Sequence, residues 1–263
     1  MPKRWINTTD TRTGIQMSLA LASLLVLPLA VVVGSSVGAV SAAAVQADSL
    51  RDGARLLRRA QDAMGGVERL TAVKDTTHAM EIMLEPAAGG YRLTQTSRYI
   101  TPNHFRQDQE TPFGRIVVYS DGETGWMATP QGTAPLSTDV LATVRGVLFR
   151  QPPAVLLSDR DPSRSVRMTG DYAVSILAAG GQEVEIEFSP DTGLPLRQSY
   201  VIVAADGSRV DRTETFADWR EVDGLRFPFK AVQFENGVKM LEVDVSEYHV
   251  NTGLRPIELS DRQ

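Results

Sequence analysis

The chain has 263 residues, no cysteine, and 27 Lys and Arg against 32 Asp and Glu, a net charge of −5. Without cysteine there are no disulfides or thiolate metal sites, and an acidic chain without basic clusters is a poor nucleic-acid binder. Stability must come from a hydrophobic core. Lys3, Arg4 and Arg12 precede an apolar run, Met17–Val33, and then a small-residue tract ending in Val45-Gln46-Ala47 before the polar Asp48. This is the pattern of an export signal over residues 1–47, either cleaved or kept as an inner-membrane anchor. No cysteine follows the run, which excludes anchoring through a lipidated cysteine. In either case residues 48–263 lie outside the cytoplasm, facing the periplasm, and are long enough for one domain. Three basic residues and one acid leave with the leader, so the net charge of that domain is −7.

Ser49–Met64 carries apolar residues at helical spacing (Leu50, Ala54, Leu57, Met64) and stops at Gly65-Gly66. Val67–Val73 adds a short second turn. From Thr76 the period changes to two. Thr76–Glu85, Tyr91–Ile100, Phe105–Glu110, Gly114–Ser120 and Gly125–Thr129 read as strands of an antiparallel meander, because their connections are too short for crossover helices. Ser137–Arg150 interrupts with a helix: Ser137 or Thr138 can cap it, and Val140, Leu141, Val144, Val147, Leu148 and Phe149 form a broad apolar face. Pro152-Pro153 stops it, and Ala154–Leu157 forms one more turn. Such a helix covers either one end of the core or, as a movable lid, a ligand cavity.

Strands resume over Ser165–Thr169, Tyr172–Ala178, Glu183–Ser189, Leu196–Ala204, Val210–Trp219, Arg226–Glu235 and Val238–His249. Asp206-Gly207, Asp223-Gly224 and Asn236-Gly237 are strong hairpin signals. Alternation in Glu183–Phe188 and Leu241–Tyr248 gives each strand a charged and an apolar face, so one side of the sheet meets water. The fold class is mainly β with helices (α+β). Eleven to twelve strands must curl into a half-open antiparallel barrel with an N-terminal helix and a helical lid. The tail is expected to lose order beyond Leu259.

Catalytic chemistry is missing from this pattern. His78, His104 and His249 are isolated, no HExxH, GxSxG, SxxK or phosphate loop occurs, and Glu183, Glu185 and Glu187 share one solvated strand face. Neither an enzyme, a metal site nor a cofactor is expected. The nineteen residues Phe216–Phe234 hold four of the eight Phe and one of the three Trp. Alternation puts Leu225, Phe227 and Phe229 on one face, which forms either core or the wall of a cavity.

Residues 100–130 carry Pro102, Asn103, Phe105, Ser120, Asp121, Gly122, Trp126 and Pro130 in the order met in the periplasmic outer-membrane lipoprotein-sorting (lipoprotein carrier, LolA-like) superfamily, which this stretch resembles. Asp218, Arg220, Val222, Asp223, Gly224 and Pro228, together with Ser189–Pro195, resemble its carrier-like branch. The resemblance implies an unclosed barrel of about eleven strands whose concave apolar face shelters lipid or lipoprotein acyl chains beneath helices. It also implies a monomer that meets envelope transport proteins. One departure stands out: where the founding carriers have a lid-latching Arg before Pro-Asn, this chain has Thr101. The candidate lining is Phe105, Trp126, Leu141, Val144, Leu148, Phe149, Trp219, Phe227 and Phe229. The competing readings are a ligand-free structural or interaction module of the envelope, and a hydrolase in which the dispersed histidines converge with a carboxylate.

Overall fold

The computed structural model describes residues 39–203 and 207–262. Most of the expected leader, and the Asp206 of one expected turn, lie outside these residues. The helix expected from Ser49 starts earlier: α1 spans Ala39–Ala63 and takes in the Ala-rich end of that leader, where Ala is the best helix former. No helix among the described residues is long and apolar enough to cross a membrane.

After α1 and α2 (Val67–Thr71) come six strands: β1 (Asp75–Leu84), β2 (Arg92–Ile100), β3 (His104–Thr111), β4 (Gly114–Ser120), β5 (Gly125–Thr129) and β6 (Gly132–Pro135). Helices α3 (Thr138–Phe149) and α4 (Pro152–Leu156) follow. Seven more strands complete the sheet: β7 (Ser165–Gly170), β8 (Ala173–Leu177), β9 (Glu183–Phe188), β10 (Pro195–Val203), β11 (Arg209–Val222), β12 (Leu225–Glu235) and β13 (Val238–Val250). A short helix, α5 (Pro256–Ser260), ends the chain. The thirteen strands form one antiparallel sheet in the order β6-β5-β4-β3-β2-β1-β13-β12-β11-β10-β9-β8-β7.

The sheet is not closed, as a half-open barrel requires, and it has one strand more than the sequence pattern suggested. The addition is β6, Gly-Thr-Ala-Pro, exposed throughout. A four-residue strand ending in Pro has no alternation to detect, and its shortness suits an edge that must not recruit another chain.

Two meanders, β1–β6 and β7–β13, meet where β1 pairs with β13, Thr76 opposite Val250 and Leu84 opposite Leu241. Since β6 and β7 are the two free edges, the segment between them must travel from one edge to the other. That necessity puts α3 and α4 across the inner face.

The largest core lies on this inner face under α1 and α4. Leu57, Ala60 and Met64 meet Leu156, Val174, Ile176, Val184, Ile186, Phe188, Leu225 and Phe227. The end of α1 docks on the β11–β12 hairpin, with the Arg226 amide donating to the Met64 carbonyl at 3.0 Å. That hairpin turns on Asp223 and Gly224, both at positive φ (52° and 76°), as its two-residue turn requires.

The tail up to Leu259 is tied to the sheet at two places. The Asp75 carboxylate accepts hydrogen bonds from the Thr252 amide and hydroxyl and the Gly253 amide, at 2.8, 3.0 and 3.0 Å. The chain then crosses the outer face, where Leu259 is buried against Val117, Tyr119 and Trp126.

Candidate functional site

Five rings cross the middle of the inner face, one from each of five neighbouring strands. Phe227 on β12 stacks on Tyr248 of β13 at 3.9 Å between centroids. Tyr248 stacks on His78 of β1 at 5.0 Å, and His78 on Tyr99 of β2 at 5.4 Å. Tyr99 meets Phe105 of β3 at 5.3 Å. Aromatic pairs at such spacings contribute about 0.5–1.5 kcal/mol each beyond their area. The ladder crosses the β1–β13 seam and ties the two meanders together.

Burial sets the chemistry of the ladder. It pushes the His78 imidazole down to about 4, so the ring is neutral at ordinary pH. Its Nδ1 is buried without a hydrogen-bond partner. Burial also raises the Tyr99 and Tyr248 hydroxyls, which stay protonated. The three histidines stay apart. His249 pairs across the seam with Thr77 and sits 3.4 Å from Glu247 on an exposed surface, and His104 opens β3 opposite Ile100. No group of three metal-ligating side chains occurs among the described residues.

Over one end of the ladder lies α3. Ser137 caps it, its hydroxyl accepting from the Val140 amide at 3.4 Å. Val144, Val147 and Leu148 pack on Tyr99, Phe105, Val118, Met127 and Leu136. Phe149, at the helix end, enters the large core instead. The lid helix therefore reaches both meanders.

Toward the other end of the strands, beyond the polar Ser97 and Gln95, the inner face carries an apolar floor: Met80, Ile82 and Leu93, flanked by Leu84, Tyr91, Leu241, Val243 and Val245. This floor consists of strand residues and one turn residue, with no helix residue in it. Sequence reasoning missed it. Its signal was the alternation in Leu241–Tyr248 and in Thr76–Glu85, which was used to define strands and not to choose a lining.

Of the nine candidate residues, Phe105, Val144 and Leu148 come together beneath the lid. Phe149, Trp219 and Phe227 belong to the large core. Phe229 is buried under the Arg220 guanidinium, 4.4 Å from its ring centroid, and Leu141 is half-buried on α3. Trp126 is on the outer face: it stands opposite Tyr119 in the β4–β5 register and packs under Leu259. Neighbouring Val117 and Val118 point to opposite faces, so a single alternation step separates the two sides.

Arg106 also faces outward. It donates to both carboxylate oxygens of Asp108 at 2.8 and 2.9 Å, and to the Leu259 and Asp261 carbonyls. Burial opposes ionisation of Asp108, but the hydrogen bonds from Arg106 and Arg115 and the charge of Arg98 outweigh it and hold the carboxyl below its usual range. Arg106 is thus committed to the tail and cannot stand in for the Arg replaced by Thr101. A cleft of about 460 Å³ opens beside this cluster on the outer face, and another of about 410 Å³ lies between the end of α1 and the β11–β12 turn. Neither is lined by α3.

No family model and no curated protein matches the chain. Solved structures do. A domain from Vibrio parahaemolyticus described as outer membrane lipoprotein-sorting superposes with a TM-score of 0.50 at 12% identity, covering 80% of this chain and 97% of that one. A DUF1329 family protein from Desulfovibrio piger gives 0.52 at 12% identity, with the same coverages. A LolA superfamily protein from Nitrosomonas europaea gives 0.52 at 10% identity, covering 77% and 97%. At these identities the likeness establishes a shared fold: the chain has the half-open sheet and helices of the lipoprotein-sorting structures.

Proposed function

We propose that this protein is a non-catalytic carrier that holds the acyl chain of a lipid or lipoprotein on the inner face of its sheet, in the periplasm or tethered to the inner membrane facing it. The observation that carries this reading is the apolar cluster of Met80, Ile82, Leu93, Leu241 and Val243, which lies on the same inner face as the residues beneath α3 and contains no helix residue. Burying an acyl chain is worth about 0.8 kcal/mol per CH₂, so long apolar surface with no catalytic group suits a carrier. The name of the Vibrio parahaemolyticus domain, lipoprotein-sorting, agrees with this. The ligand lies along the floor with one end reaching beneath α3. Phe105, Val144 and Leu148 then line the closed end, and Leu141, Phe149, Trp219, Phe227 and Phe229 support the walls. The protein acts as a monomer and receives and delivers its ligand through envelope transport proteins. The departure at Thr101 leaves the lipoprotein cycle open, so the ligand class is lipid in the broad sense.

A specific observation favours a second reading. Phe105 and Val144 are packed against each other with 3% and 2% of their surface exposed, as in a filled core. A filled core under α3 suits an interaction module of the cell envelope.

Native mass spectrometry of protein purified from its own envelope separates the two. The carrier reading expects co-purified lipid and uptake of a fluorescent fatty acid by the stripped protein. Protein that is ligand-free in repeated preparations and takes up no fatty acid would overturn it.

A further inference from the structure

Beside the apolar floor, the inner face of β10–β12 turns polar. Row by row, Leu241 stands next to Gln233, then Glu214, then Gln198. In the adjoining row, Glu235, Arg212 and Tyr200 stand opposite one another. Tyr200 is the hub. Its hydroxyl donates to Glu214 Oε1 at 2.5 Å, and Arg212 reaches the same hydroxyl. The Arg150 guanidinium, from the end of the lid helix, lies over its ring at 3.6 Å.

The hydrogen-bond inventory of this cluster is one-sided. Glu214 is satisfied on both oxygens, by Tyr200 and by Gln198 at 2.6 Å. Arg212 pairs with Glu235 through Nη2, but its Nε is buried with no acceptor. Arg150 has no carboxylate within ion-pair distance among the described residues; its one contact of this kind is the Tyr200 ring. The buried unmet group of this cluster is thus a donor, the Arg212 Nε–H, and Arg150 beside it is a cation without a carboxylate partner among the described residues, so a group that completes the cluster must bring acceptor oxygens. Glu214 and Glu235 are the charges that oppose an anion here; two neutral donors hold the first in place, and Arg212 pairs with the second.

The position of Arg150 is built, not incidental. Gly146, one turn earlier on α3, is buried, and a Cβ there would come within 2.9 Å of Arg150 Nη1. Glycine is a poor helix residue in mid-helix. Its use here gives the guanidinium room to fold back between helix and ring.

We propose that Arg150 and Arg212, set around Tyr200, form a headgroup subsite that takes the carboxylate or phosphate of an amphipathic lipid whose tail lies on the adjoining apolar floor. This rests on the carrier reading above. The lid then contributes a charge as well as apolar cover. A guanidinium fork presents two parallel N–H groups to a carboxylate or phosphate, which an uncharged ester cannot match.

The test is fluorescence titration of the full chain with pyrenedodecanoic acid, its methyl ester, and a pyrene-labelled phosphatidylglycerol. The wild type is expected to bind the acid about tenfold more tightly than the ester, the size of one charge-assisted hydrogen bond. Arg150→Gln is expected to erase that preference, the acid then binding no more tightly than the ester. Gly146→Ala removes no charge and favours the helix, yet is expected to act in the same direction by displacing the guanidinium. A thermal melt of each variant verifies folding. A loss confined to the fatty acid assigns the carboxylate, and one confined to phosphatidylglycerol assigns the phosphate. Equal wild-type affinity for acid and ester together with phosphatidylglycerol binding that neither substitution weakens, or an acid preference that survives both substitutions, overturns the subsite while leaving the carrier reading intact. If no probe binds the wild type, the carrier reading falls and the subsite falls with it.

Discussion

Two helices lie on the inner face of the same sheet and are held in different ways. The α1 side is locked: Leu57, Ala60 and Met64 are fully buried, and Gln61, also buried, donates to the Leu156 carbonyl and to Asp159, both at 2.7 Å. The α3 side is lighter. Val144 and Phe149 are its buried large residues, whereas Leu141, Val147 and Leu148 remain half-exposed. Its polar ties are few: Arg145 to the Gly122 carbonyl at 3.1 Å, and Arg150 over Tyr200. Because hydrophobic stabilisation scales with area removed from water, α1 is held much more strongly than α3. Local opening belongs to the less buried element, so α3 is expected to open before α1.

The sharpest way to break this contrast is a matched pair of truncations. Leu57→Ala on α1 is expected to lower stability by about 2–5 kcal/mol, the range for fully buried Leu, and Leu148→Ala on α3 by about 1 kcal/mol. Urea unfolding measures both. Equal losses would make α3 ordinary core and end the lid argument.

A second measurement addresses the seam between the two regions. His78 titrates near 6.5 in the unfolded chain and about 4 in the fold, so the unfolded state binds the extra proton between these values. Stability therefore rises with pH from about 4 to 6.5 and is lost as pH falls through that window, by up to about 3 kcal/mol at 1.36 kcal/mol per unit. His78→Phe keeps a ring in the ladder and should flatten this part of the profile. A variant that retains the same acid sensitivity would show that the loss arises elsewhere.

The smallest effect is expected at the start of the lid. Ser137→Ala removes the cap of α3 and should reduce stability by about 0.5 kcal/mol, at the low end for N-caps because the bond is long. Hydrogen exchange is the informative readout. Amides of α3 should exchange faster while those of α1 do not change, and equal acceleration in both would mean that the helices open together.

The elements were largely legible in the sequence because their punctuation is local. Gly114–Ser120 and Gly125–Thr129 have the expected bounds, and α3 differs from its expected span by one residue at each end. The sheet order was not legible, since the β1–β13 pairing joins the ends of the domain and has no local signature. The candidate lining suffered from the same gap. Trp126 is as apolar as Phe105, and only the register of β3, β4 and β5 assigns them to opposite faces. The polar cluster at Tyr200 was invisible for a related reason. Arg150, Tyr200 and Arg212 come from a helix and two strands, and nothing in their spacing marks them as neighbours.

The seam has a consequence for the order in which the molecule can be made. Thr76 finds its partner at Val250, so the central pair of strands cannot form until nearly all of the chain is available. Until then β1 and β12 each lack a neighbour, and His78 and Phe227 lack the Tyr248 ring that joins them. Closing so long a loop is slow compared with forming hairpins. During synthesis the two meanders can gather as separate hairpins, but the molecule locks only after its last strand has emerged.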